Sequence, residues 1–115
     1  MPVSGSTDLP LGPREESWDA GAARKSLNPD DYPKAFFWRD PDGDPQTLAA
    51  WKLPFARRTD SGLQAVWAGV TAGAQRLSST QGIDVAAVQA KMAAYYRKAA
   101  KQYDDPSITP PWQNA

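Results

Sequence analysis

Lys91, Arg97, Lys98 and Lys101 are the densest group of chemically capable side chains in this sequence, and no acid lies between residues 85 and 103. Cations clustered along a helix can neutralise phosphates, so the group is a candidate nucleic-acid contact. Arg57-Arg58 can extend it, and Tyr96 can stack on a base. The same cations also complement the dipole of a helix C-terminus and solvate its outer face. Both readings stand on sequence alone.

The carboxylates offer less. Asp40, Asp42 and Asp44 alternate beside Gly43, which invites a calcium-loop reading. Such a loop wants glycine at its sixth position and glutamate at its twelfth. Counted from Asp40 those positions hold Pro45 and Trp51, so a solvated acidic turn is the better reading. Glu15-Glu16 and Asp30-Asp31 can share protons only if buried together, and both sit beside loop or helix-start sequence. The chain has no histidine and no cysteine. That removes disulfides, thiolate sites and the commonest general base and metal ligand. No serine–histidine pair, Ser-x-x-Lys pair or glycine-rich phosphate loop occurs. The reading is a non-enzyme without cofactor or metal.

The elements that would position these groups are α+β and mainly α: an antiparallel helical pair with a small β-hairpin, flanked by extended arms. Asp19 can cap a short helix ending near Leu27, and Asn28-Pro29 starts another single turn. Residues 35–39, AFFWR, and 49–56, AAWKLPFA, read as two strands joined by the acidic turn, the second bent or at an edge because of Pro54. Leu63, Val66, Trp67, Val70, Ala74 and Leu77 recur at helical spacing, which predicts a helix capped at Asp60 or Ser61 and running to Ser78. Gly69 and Gly73 lie four apart on it, a cost usually offset by close approach of another backbone. After a loop at 78–83, Asp84 opens the last helix, with the stripe Val85, Val88, Met92, Tyr95, Ala99 and Tyr103.

Three parts follow: an arm over 1–17, a compact domain over 18–103 and a proline-rich arm over 104–115. Neither arm has a periodic apolar face, so each is expected to order on a partner rather than alone. Leu9, Leu11, Trp18, Ile108 and Trp112 are the candidate partner-binding anchors. Net charge is zero but uneven: residues 1–48 carry five bases and nine acids, residues 49–103 eight bases and two acids. Opposed surfaces of this kind suit either internal attraction or charged neighbours. No apolar run is long enough to span a bilayer, and no signal pattern opens the chain, so a soluble cytosolic product is expected.

Trp18-Asp19-x-x-Ala22, Asp30-Asp31-Tyr32, Lys52-Leu53-Pro54-Phe55, the alanine-rich helix with Leu77, and Tyr95-Tyr96-Arg97 before Pro110-Pro111 stand in an order. That order resembles a short domain of tailed-phage and prophage head proteins, found in or beside capsid-maturation proteases. The likeness spans about residues 18–112 and is most specific at Lys-Leu-Pro. This chain departs from it in its long arms and its AFFW run, and it lacks any protease portion. The resemblance implies a capsid decoration or minor capsid role in the virion, after synthesis in the host cytoplasm. The partner would be the major capsid protein, another head protein or copies of the chain itself. Nucleic-acid binding through the last helix is the alternative; a membrane is not expected.

Overall fold

In the computed structural model, residues 3–44, 46–77 and 83–114 are described. Helix α1 spans Ala20–Ser26, and Asp19 Oδ1 accepts from the Ala22 amide at 3.1 Å, the cap its position predicts. A 3₁₀ turn at Pro29–Asp31 leads into the single turn α2, Tyr32–Ala35, with Pro33 near its start where no amide is needed. Strand β1, Phe36–Arg39, pairs antiparallel with β2, Trp51–Pro54, in the register Phe36 with Pro54 and Trp38 with Lys52.

The next segment departs from expectation. Residues 60–65 are not helical. Strand β3, Ala56–Thr59, turns through Asp60-Ser61 into β4, Gly62–Ala65. Gly62 takes φ +118°, a conformation open to glycine, and the Thr59 hydroxyl donates to its carbonyl. Helix α3 therefore starts only at Trp67 and runs to Arg76. The helical spacing at Leu63 and Val66 yields to pairing on both sides of Ala65, with β3 on one side and the chain's own N-terminal segment on the other. Helix α4, Val85–Gln102, is capped by Asp84 through the Ala87 amide. Val88, Met92, Tyr95 and Ala99 are buried as the stripe predicts, whereas Val85 is exposed and Tyr103 only half-buried. Most of the loop expected at 78–83 lies outside the described residues.

The result is a mixed α+β body. Its centre is aromatic: Phe37 and Phe55 stack at 4.0 Å, and Tyr95 of α4 meets Phe55 at 5.1 Å. Helix α3 lies against α4, with Trp67 near Tyr96 and Tyr103 at one end and Gly73 near Met92 further along. The two glycines of α3 have different neighbours. A Cβ at Gly69 would sit 2.9–3.0 Å from three ring atoms of Trp18, so what approaches is an indole and not a backbone. A Cβ at Gly73 would meet the flexible Met92 methyl at 3.1 Å.

Asp31 is the buried charge of the core. Its carboxylate accepts from two of the Arg58 guanidinium nitrogens, Nε at 2.9 Å and Nη2 at 2.5 Å, and from the Asn28 amide at 2.9 Å. The Arg58 hydrogen bond foremost, aided by the Asn28 amide and against desolvation, holds its pKa below the usual 3.8.

Two predictions follow from these contacts. Glycine to alanine in an open helix gains about 1 kcal/mol. Here Gly69→Ala is expected to lose stability by roughly 1–3 kcal/mol as Trp18 is pushed out, while Gly73→Ala stays neutral or gains; chemical denaturation of both variants reads the contrast. Because Asp31 titrates lower when folded, it adds stability above pH 3.8 that is lost as pH falls through the folded value. Asp31→Asn is therefore expected to lower stability at neutral pH and to flatten the acid limb of the stability curve.

Candidate partner-binding surface

The residues expected to reach a neighbour are engaged at home. Val3 bridges to Trp38, and the amides of Ser4, Gly5 and Ser6 donate to the carbonyls of Phe37, Pro33 and Lys34 at 2.9, 2.8 and 3.1 Å. Gly5 lies on the aromatic centre with φ +98°. A Cβ there would be 3.0 Å from the Phe37 ring and 3.3 Å from that of Phe55, so glycine is required on both counts. Further on, Leu11 bridges to Ala65 in parallel sense; the Ala65 amide donates to Pro10 and the Gly12 amide to Ala65. Leu11 is buried and Leu9 half-buried against the core.

Helix α4 closes over this segment with side chains. Lys91 Nζ donates to the Gly5 carbonyl at 3.0 Å and Lys98 Nζ to that of Leu9 at 2.9 Å. Gln102 donates to Leu11 at 2.7 Å, and the Tyr103 hydroxyl to Gly12 at 2.7 Å. The Tyr95 hydroxyl donates to the Ser6 carbonyl. Burial pushes the hydroxyls of Tyr95 and Tyr103 up from their usual pKa, so both remain donors at any physiological pH.

This corrects two expectations. Residues 3–17 are not a free arm: backbone groups between Ser4 and Gly12 find partners on the rest of the domain, and Arg14 and Glu16 are tied to it by ion pairs with Asp105 and Arg57. The four cations of α4 do not form one phosphate face either. Lys91 and Lys98 are spent on carbonyls, while the exposed Arg97 and Lys101 line a separate cleft beside Ile108 and Pro110. Arg57 pairs with Glu16 at 2.5 Å and Arg58 with Asp31, so neither extends that cleft as a loose cation. Buried Tyr96 meets Trp67 edge-on at 4.8 Å, leaving no open face for a base.

The C-terminal segment also folds back. Asp104 takes φ +52° to leave α4, and Asp105 pairs with Arg14 at 3.0 Å, tying the two ends of the chain together. Trp112 packs edge-on to Tyr96 at 5.8 Å, and Ile108 is half-buried against the core. Trp18, the fifth anchor, covers Gly69. The Cα radius of gyration, 13.3 Å, is that of a compact chain of this length, about 13 Å, with no contribution from extended ends. At the acidic turn, Asp40 and Asp44 accept from the amides of Asp42 and Gln46, at 3.0 and 2.9 Å. Among the described residues no group of three or more carboxylates is placed to hold a metal.

Comparison with family models, with curated proteins and with solved structures finds no match to this chain.

Because residues 3–12 cover the aromatic centre, deleting residues 1–12 is expected to cost roughly 3 kcal/mol or more, not to leave the melting temperature unchanged. Tyr95→Phe, which strands the Ser6 carbonyl, should cost about 1–2 kcal/mol. Denaturant midpoints of both variants equal to that of the intact chain would contradict the docking.

Proposed function

We propose that this chain is a structural component of a tailed-phage head, a decoration or minor capsid protein that docks on the shell as a preformed body. The observation that carries the reading is the closure of both chain ends onto one core. A body with fixed ends presents surfaces of set shape and loses little conformational freedom when it docks. The order of residues that resembles head-protein domains is the sequence observation behind the same role. Docking is by faces of the domain, and the reach of Leu9, Leu11, Trp18, Ile108 and Trp112 to a neighbour is set aside. The partner is the major capsid protein, another head protein or a further copy of the chain. Many weak contacts repeated on a symmetric shell add up through avidity.

Co-sedimentation with heads of the phage or prophage that encodes the chain tests this. The chain is expected to pellet with shells at a fixed ratio to capsid protein. A chain that stays in the supernatant while binding DNA with a steep salt dependence would replace this reading with the nucleic-acid one.

A further inference from the structure

A cavity of about 200 Å³ opens between α1, β2 and α3. Its apolar lining comes from Trp18, Leu53 and Pro54, and its cations are Arg24, Lys52 and Arg76. No carboxylate takes part in the lining. Arg24 projects from α1, Lys52 from β2 and Arg76 from the last turn of α3, so three separate elements bring like charges to one opening. All three are exposed, and among the described residues neither Arg24 nor Lys52 joins a salt bridge. Arg24 and Lys52 beside an apolar floor complement an anionic occupant. Leu53, in the wall, takes φ +62°, a conformation that costs a leucine on the order of 1–3 kcal/mol. That backbone sets its side chain into the core and leaves Lys52 at the rim.

We propose that this groove binds an acidic peptide segment of a partner protein, one apolar side chain seated over Trp18 and Leu53 with flanking carboxylates on Arg24, Lys52 and Arg76. Carboxylates suit guanidinium partners, which can bind them in paired hydrogen bonds. A nucleic-acid strand fits less well: Trp51 is buried and Trp18 is partly covered at Gly69, so the groove offers no series of open rings on which successive bases could stack. The inference rests on the docking role proposed above and names where, and by what chemistry, the body docks.

The indoles of Trp18 and Trp51 in the lining provide an optical signal for the test. The isolated full chain is titrated with the peptide acetyl-Asp-Glu-Asp-Leu-Glu-Asp-Glu-amide, followed by tryptophan fluorescence, and with its Lys/Arg counterpart. Saturable binding of the acidic peptide alone is expected. It should weaken at least tenfold in Arg24→Glu/Lys52→Glu and in Ala72→Phe, which fills the groove from α3; thermal melts establish that each variant is folded. Absence of saturable binding, or binding by either folded variant as tight as that of the intact chain, would overturn the proposal. So would oligo-dT binding that matches the peptide and is lost in the same variants, which would give the groove to nucleic acid. Shells that pellet the intact chain and the charge-reversed variant alike would remove the groove from the docking role while leaving that role standing.

Discussion

The backbone of residues 4–12 has no regular element of its own, and its polar groups must be satisfied if it is to cover the core. An unpaired buried amide or carbonyl costs as much as a lost hydrogen bond. Here the amides of Ser4, Gly5 and Ser6 go to β1 and the turn before it, and those around Leu11 go to β4. The carbonyls of Gly5, Ser6, Leu9, Leu11 and Gly12 go to side chains of α4. Two-stranded sheets are marginal alone, and their open edges invite unwanted pairing. One segment bridges to both sheets of this fold, at Trp38 and at Ala65, and α4 clamps it from above.

Much of the architecture follows from that constraint. Gly5 is needed because the segment crosses the stacked rings of Phe37 and Phe55. Lys91 and Lys98, seven residues apart, lie on the side of α4 that faces the segment, so half of an apparently basic face serves as hydrogen-bond donors to main chain. Arg14 completes the closure by joining the N-terminal segment to the C-terminal one at Asp105 and resting over Tyr103.

What was legible in the sequence was local. The Asp19 and Asp84 caps and the buried stripe of α4 depend on residues within a turn or two of one another, and the β1–β2 pair joins segments less than twenty positions apart. What was not legible depended on partners far along the chain. Leu11 read as an anchor for a partner protein because its partner within the chain, Ala65, is fifty-four positions away. Leu63 and Val66 kept helical spacing, yet pairing across the Asp60-Ser61 turn made Leu63 part of a strand and left Val66 ahead of the helix. One signal was available there: Gly62 just after Asp-Ser, between Arg57-Arg58-Thr59 and Leu63-Gln64-Ala65, has the composition of a tight hairpin. Gly69 was singled out as a point of close approach by another backbone; what approaches is the Trp18 indole, which sequence had no means to name.

In the proposed docking role, a body whose ends fold onto its core would engage a partner by its faces, with the basic groove as the proposed contact. That account stands on the N-terminal segment being part of the fold in the free protein. Amide hydrogen exchange on the dilute chain tests it most directly, read at Ser4, Gly5, Ser6 and Gly12 beside the amides of β1 and α4. The account predicts protection at those four amides close to that of β1. Exchange there at the rate of an unstructured chain, with β1 and α4 protected, would contradict it.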